Sequence, residues 1–361
     1  MDSAPDTDAG GAHADSPHAG LEVLIQVRGL RKTFELPHPV LDRLRGRPPH
    51  RIHAVDGVCL TLRRGQALGL VGESGCGKST LARCIVGLMP PDAGQILYAG
   101  PGGGPGGTAP TDLAALDDAA WRPYRRRLQM VFQDPFSSLN PRQRVGDALT
   151  EVLAVHGLCA PEQRPARCAE LLRQVGLTAA DAATFPGEFS GGQRIAIARA
   201  LAVGPELLVA DEPLSALDVP IQAQILRLLL DLRDRLRLTM LFVSHDLRTV
   251  RYVSDTVVVM HLGRVVEHGP AAMVFERPRH PYTQALMASV PGVGALDAGL
   301  AGDVPSAIHP PSGCPFHTRC PYRMPRCVEE PPPLRDLGGG QSAACHLVGP
   351  DAVAAGEAGA M

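Results

Sequence analysis

"GESGCGKST", Gly72 to Thr80, decides how this chain is read. It follows a short apolar run, "ALGLV" (Ala67–Val71), and opens a stretch expected to be helical from about Lys78 to Gly87. Gly72, Gly77, Lys78 and Ser79 stand where a phosphate-binding loop (P-loop) between strand and helix needs them. The glycines let the backbone wrap phosphate oxygens, and the helix N-terminus adds positive potential. Ser74, Gly75, Cys76 and Thr80 complete the expected cradle. Lys78 is expected to reach the β- and γ-phosphates, and Ser79 to ligate Mg²⁺.

"LLVADEP" (207–213) supplies a second half. Its apolar run carries Asp211 to the C-terminal edge of a sheet, where nucleotides bind in α/β folds. Asp211 is expected to hold Mg²⁺, mostly through water. Glu212 is the candidate general base for an attacking water.

Outward from these motifs, short buried-type apolar runs alternate with helical stretches. "TMLFVSHD" pairs in character with "ELLVADE", both runs suited to a parallel sheet buried on two faces. Between them "VPIQAQILRLLLDLRDRLRL" is a long amphipathic helix, with Pro220 tolerated in its first turn. "AVDGVCLTLRRGQALGLVG" predicts two strands turning at Arg64-Gly65, and "DTVVVMHLGRVVEHG" two more. Residues 21–34 alternate apolar and polar, which predicts an edge strand. Residues 145–183 are mainly helical in pattern, and 101–110 ("PGGGPGGTAP") form a surface loop. The fold class expected is α/β.

The chain has 361 residues, 20% charged, with a net charge of -2. That balance gives no global basic field, so nucleic acid is not the expected partner. No apolar run is long enough to span a bilayer. Residues 1–20 are small and acidic, lack the regions of a signal peptide and are expected to be a disordered tail.

With these motifs in order, the chain resembles the ATP-binding cassette of ABC transporters over residues 21–290. "VFQDP" puts Gln133 at the family's Q-loop position, where it senses nucleotide, Mg²⁺ and the membrane subunits. "FSGGQ" is the signature, with Ser190, Gly191, Gly192 and Gln193. "DEPLSALD" runs to the D-loop at Asp218, and "LFVSHD" puts His245 at the switch position. Phe34 matches the aromatic that stacks on adenine. The resemblance implies a P-loop NTPase cassette with a helical subdomain over about 135–200 and a cysteine-containing extension over 291–361.

Within the family, "QDPFSSLNPR", "SALDVPIQAQIL", "RPRHPYTQALMASVP" and "GCPFHTRCPYRMPRC" are similar to the oligopeptide/dipeptide importer subfamily. "VRYVSDTVVVMHLGRVVEHG" favours the F-type of its two ATPase subunits. The resemblance implies a heterodimer with a second ATPase subunit. It also implies two transmembrane permease subunits, an extracytoplasmic solute-binding protein and a place on the cytoplasmic face of the membrane. In such a dimer the signature of one chain closes on the γ-phosphate held by the other. Alternatives are an importer for nickel or another small solute, a non-hydrolysing regulatory cassette, and a soluble ABC ATPase of translation or repair.

After "SGGQ" only Arg194 precedes "IAIARAL", where family members usually carry about three residues. Two missing helical residues amount to ~3 Å of rise and ~200° of rotation. Either the helix start unwinds, or the signature is displaced, or the loop "TAADAATFPGEF" absorbs the shift. Displacement would weaken the site that this signature completes and leave the site of its own P-loop intact.

Cys59, Cys76, Cys84, Cys159 and Cys168 are scattered and are expected to be plain thiols. Cys314, Cys320, Cys327 and Cys345 are spaced C-x5-C-x6-C-x17-C, without the C-x2-C pair of a zinc ribbon. The subfamily's tail is similar, which favours a 4Fe–4S cluster on these four residues over zinc or free thiols. His317 and His346 are expected at the surface. The basic run Arg122, Arg125, Arg126 and Arg127 is expected to be a solvated face, with lipid-headgroup contact as the alternative.

Overall fold

The computed structural model describes residues 21–36, 49–100, 109–134, 139–188, 192–215, 217–289 and 305–348. β1 (Val23–Glu35) and β2 (Arg51–Arg63) make a long antiparallel pair. β3 (Ala67–Val71) leads through the P-loop into α1 (Lys78–Ile85). β4 (Ala93–Tyr98) and β5 (Thr111–Asp112) complete a four-stranded sheet in the order β2-β1-β4-β5. β1 is therefore interior and not an edge, because β2 and β4 flank it. Its alternation reports one buried face, and an antiparallel sheet with one wet face shows that pattern on every strand.

α2 (Asp118–Arg125) precedes β6 (Leu128–Val131). α3 (Val145–Val155), α4 (Arg164–Gln174) and α5 (Gly192–Leu201) come next in the chain. β7 (Leu207–Asp211), α6 (Val219–Leu236), β8 (Thr239–Val243), α7 (Leu247–Val253), β9 (Thr256–His261) and β10 (Arg264–Pro270) follow. β3, β6, β7, β8 and β9 run parallel in the second sheet, ordered β9-β3-β8-β7-β6 at this end.

The parallel strands are buried on both sides, and each feeds two cores. In β8, Met240 and Phe242 face the core under α6, while Leu241 and Val243 face the core against the antiparallel sheet. β7 divides in the same way, with Leu208 and Ala210 on one side and Leu207 and Val209 on the other. A period of two with both faces buried produces an unbroken apolar run.

β10 turns the sheet antiparallel and carries it into the C-terminal extension. After α8 (Ala271–Glu276), α9 (Pro281–Ala288) and α10 (Pro325–Glu329), the short strands β11 (Arg335–Asp336) and β12 (Ser342–Ala343) add to β10 through Glu267↔Ala343 and His268↔Ser342. Glu267 is fully buried at this seam. Its carboxylate accepts from the N–H groups of Arg279 (2.8 Å) and His280 (2.9 Å) and from Gln341 Nε2 (2.8 Å). Burial raises its pKa in spite of these donors.

Phe316, fully buried, packs on Tyr282, His261 and His280 with ring centroids 5.3, 5.6 and 5.9 Å away. The extension therefore shares a core with the parallel sheet. Burial lowers the pKa of His261 to about 4 and that of His280 to about 3. The unfolded chain thus binds protons that the native protein refuses. Stability from these two rings is complete above about pH 6.5 and is lost as pH falls through the native values. We expect the urea midpoint to fall steadily from pH 6.5 to 4. For His261→Phe the slope should be shallower, by about 3 kcal/mol integrated over that range. Parallel curves for the two proteins would overturn this assignment.

Candidate functional site

β3 ends at Val71 and the chain enters the P-loop with Gly72 at φ 152°, Gly75 at 79° and Gly77 at 104°. Gly77 caps α1 in a left-handed conformation, and Leu81 N–H donates to its carbonyl at 2.9 Å. Lys78, 4% exposed, lies within the loop. Its ammonium donates to the carbonyls of Gly72 (2.8 Å) and Glu73 (2.9 Å) and lies 3.7 Å from Cys76 Sγ. Burial raises the Cys76 thiol pKa, which Lys78 partly opposes. Cys76 is therefore a packed thiol beside Lys78.

Ser79 Oγ donates to Asp211 Oδ1 at 2.8 Å. This contact joins the two halves that the sequence places 132 positions apart. Asp211 is buried at the end of β7; burial raises its pKa, and the Ser79 hydrogen bond works against that. A hydroxyl and a carboxylate on one oxygen-rich spot suit a hard cation such as Mg²⁺. Ser79 and Asp211 would hold Mg²⁺ there, and the ion would supply positive charge against phosphate.

Glu212 has φ 46°, a costly backbone for a residue with a side chain. Its N–H donates to Val243 O at 2.9 Å, and its carbonyl accepts from Ser215 Oγ at 3.0 Å. Glu212 Oε1 lies 3.3 Å from His245 Nδ1. The structure thus brings the candidate base and the switch histidine together from two adjacent strand ends. β6 pairs in parallel with β7, Val131 opposite Ala210. Gln133, exposed, therefore lies beyond the same sheet edge as Asp211 and Glu212.

Phe34 sits on β1 opposite Ile52, half-buried, with the Lys32 ammonium 6.0 Å from its ring centroid. Asp218 is exposed at the N-terminus of α6 and makes no side-chain cap. Ser190 and Gly191 of the signature lie outside the described residues. From Gly192 onward α5 is unbroken, and Ile195, Ala198, Leu201 and Ala202 are all buried. Gln193 is buried with no partner for its Nε2. The helix start is therefore not unwound from Gly192.

None of the arginines in the run is buried, and three of them make ties at the surface. Arg127 donates to Tyr98 Oη and Glu206, Arg126 to the Val203 carbonyl, and Arg125 pairs with Asp118. His317 and His346, expected at the surface, are buried. Each turns a ring nitrogen to a backbone carbonyl, of Cys314 and Glu330. The extension folds onto the cassette, which local polarity could not reveal.

Cys314, Cys327 and Cys345 are buried and Cys320 half-buried. The Cys345 thiol feels Cys314, Cys320 and Cys327, and burial lifts it to about 11. Among the described residues no group of three or more His, Cys, Asp or Glu is placed to hold a metal ion.

Motif matching missed Glu73, Tyr282 and Arg319. The Glu73 N–H donates to Tyr282 Oη at 2.8 Å, and its carboxylate pairs with Arg319 at 2.8 Å. The available signal was the acidic residue itself: a carboxylate inside a loop built for anions demands a cation.

Residues 55–215 match the family described as ABC transporter, and residues 266–327 match the oligopeptide/dipeptide transporter, C-terminal region. An oligopeptide transport ATP-binding protein of Bacillus subtilis, AppF, is 43% identical, covering 91% of this chain and 98% of its own length. A Brucella abortus protein with a provisional name as a peptide import ATP-binding protein is 48% identical, covering 91% of this chain and 95% of its own. Among solved structures, the dimeric cassette MJ0796 in a post-hydrolysis state with ADP and Pi superposes with TM-score 0.58. It is 26% identical and covers 69% of this chain and 99% of its own. The cassette cbiO1 of Clostridium perfringens gives 0.56 at 25% identity, covering 71% and 92%. The contact of Ser79 with Asp211, the approach of Glu212 to His245 and these likenesses agree: the chain is an ATPase cassette and belongs to the ABC transporter family, with that family's oligopeptide/dipeptide-type C-terminal region.

Proposed function

We propose that this protein is the ATP-hydrolysing subunit that energises an importer of oligopeptides or dipeptides. The observation that carries the reading is the match of residues 266–327 to the oligopeptide/dipeptide transporter C-terminal region, on a chain whose residues 55–215 match the ABC transporter family. Its relatives' names add peptide transport. In this reading Lys78 and the P-loop amides hold the phosphates of ATP, and Ser79 and Asp211 hold Mg²⁺. Glu212 accepts the proton of the attacking water, and His245 keeps the carboxylate oriented. Gln133, at the same edge, reports nucleotide state to the membrane permease subunits. Phe34 stacks on adenine.

Ser190, Gly191, Gly192 and Gln193 serve the γ-phosphate of a second ATPase subunit, and Asp218 lies at that dimer seam. The dimeric state of MJ0796 supports such an arrangement. Unless the loop "TAADAATFPGEF" absorbs the shift, the shortened segment after "SGGQ" would weaken the site in the partner, and the chain's own P-loop site would depend on the partner's signature. No described helix is long and apolar enough to cross a membrane, so contact with the bilayer would run through the permease.

A 4Fe–4S cluster on Cys314, Cys320, Cys327 and Cys345 is supported only by their spacing, which lacks the C-x2-C pair of a zinc ribbon, and by the similar subfamily tail; the described residues hold no group placed for a metal ion. Iron and acid-labile sulfide in anaerobically purified protein would support a cluster; their absence would count against it.

The test of the main reading is uptake in reconstituted vesicles containing permease, both ATPase subunits and the solute-binding protein. Peptide-loaded binding protein should stimulate ATP turnover and drive peptide accumulation, and Glu212→Gln should stop both. Stimulation by nickel alone would transfer the assignment to a metal importer.

A further inference from the structure

Glu73 is the second residue of the P-loop, and every polar group it has is held. Its carbonyl accepts from Lys78 Nζ at 2.9 Å. Its N–H donates to Tyr282 Oη at 2.8 Å. Its carboxylate takes a two-pronged pair from Arg319: Nη1 lies 2.8 Å from Oε2 and 3.1 Å from Oε1, and Nη2 lies 3.1 Å from Oε1. Two of these three ties come from outside the loop, the farther from 246 residues away.

The pair is not a surface ornament. The Arg319 side chain is 5% exposed and that of Glu73 17%. Arg319 lies between Cys314 and Cys320, and Phe316 of the same loop is fully buried against Tyr282 and His261. His261 Nδ1 is 3.8 Å from Glu73 Oε2, but burial keeps that ring neutral. Arg319 is thus the cation that compensates Glu73.

We infer that Arg319 of the C-terminal extension is a positioning residue for ATP: it neutralises Glu73 and locks the P-loop in its phosphate-binding shape. The inference rests on the reading of Gly72–Thr80 as the nucleotide site. Two physical effects act together. A bare carboxylate in the loop repels the polyphosphate, and in a partly buried site water screens that repulsion poorly. The fork geometry of guanidinium and carboxylate also fixes orientation, which an ammonium on a flexible stem does less well. The extension therefore belongs to the nucleotide site, although it lies outside the cassette in sequence.

The experiment uses the full chain and a fluorescent ATP analogue with Mg²⁺, comparing wild type, Arg319→Ala, Arg319→Lys, Glu73→Gln and the double variant Arg319→Ala/Glu73→Gln. Lys78→Ala is the control. Thermal unfolding checks that each is folded. We expect Arg319→Ala to weaken nucleotide binding about 10-fold or more. Arg319→Lys should recover part of it. The double variant should bind more tightly than Arg319→Ala, because the unpaired charge is gone.

With the ATPase partner present, KM should rise by a larger factor than kcat falls. Equal affinity for wild type and Arg319→Ala would overturn the inference, as would a double variant no better than Arg319→Ala. Wild-type binding that does not depend on Lys78 would instead remove the nucleotide-site reading. Should Arg319→Ala fail to fold, Arg319→Lys is compared with wild type instead, and equal affinity of the two would overturn the inference.

Discussion

Glu212→Gln should lower ATP turnover by about 10²- to 10⁴-fold while nucleotide affinity stays near that of the wild type. Glutamine keeps the shape and the hydrogen-bonding reach of the side chain, but it cannot take a proton from water. The backbone cause is visible in the fold. Glu212 follows the last residue of β7, is tied to β8 through Val243 O, and holds φ 46°. That conformation turns the carboxylate to within 3.3 Å of His245. A positive φ at a non-glycine residue costs on the order of 1–3 kcal/mol, and it persists here because both strand ends fix it. The measurement is single-turnover hydrolysis by the chain mixed with its ATPase partner, with Lys78→Ala setting the background from the partner's own site. Turnover within a factor of ten of wild type would exclude Glu212 as the base.

Gly77→Ala should do more damage than any other single methyl added to the P-loop. Gly77 has φ 104°, and a Cβ there would lie 1.9 Å from the carbonyl oxygen of Ala54 and 3.0 Å from its carbon. Both neighbours are β2 backbone, so no side chain can swing aside. The methyl would push the P-loop from the antiparallel sheet and unseat the first turn of α1. A loss of about 4 kcal/mol or more is expected, at the extreme of what single substitutions do. Gly65→Ala is the matched control. Gly65 has φ 70° with nothing within 4 Å of the added carbon, so it carries only the left-handed penalty of about 1–2 kcal/mol. Urea unfolding of the two variants checks this. A Gly77→Ala protein no less stable than Gly65→Ala would mean that β2 yields easily and that the contact is not rigid.

The local patterns carried far. "GESGCGKST" announced a strand, a phosphate loop and a helix, and α1 begins at Lys78 as its spacing requires. "ELLVADE" and "TMLFVSHD" announced parallel strands, and β7 and β8 lie side by side with every residue buried. In both cases the deciding signal lies within ten residues. The phosphate loop depends on glycine at set positions, and a strand buried on two faces must be apolar throughout.

Elsewhere local pattern was silent or misleading. The alternation in residues 21–34 revealed a buried face but not the second neighbour, so β1 was expected at an edge. His317 and His346 look like surface residues in a proline-rich tail, yet the tail packs into the core through Phe316 and through Gln341, which donates to Glu267 of β10. Residues 189–191, on which the shortened signature turns, lie outside the described residues, and only the packed helix beyond them bears on the question.

By itself, then, the sequence determined the α/β class, the phosphate loop, the acidic pair after β7 and the order of the family's motifs. Each depends on the chemistry of adjacent residues. Only the tertiary structure decided that Ser79 meets Asp211, that Glu212 meets His245, and that Arg319 reaches back to Glu73. Those meetings join residues from separate strands and, for Arg319, from opposite ends of the chain. They arise from the order in which strands pair and from an extension docking on β10, and no periodicity in the chain encodes which distant side chain will arrive.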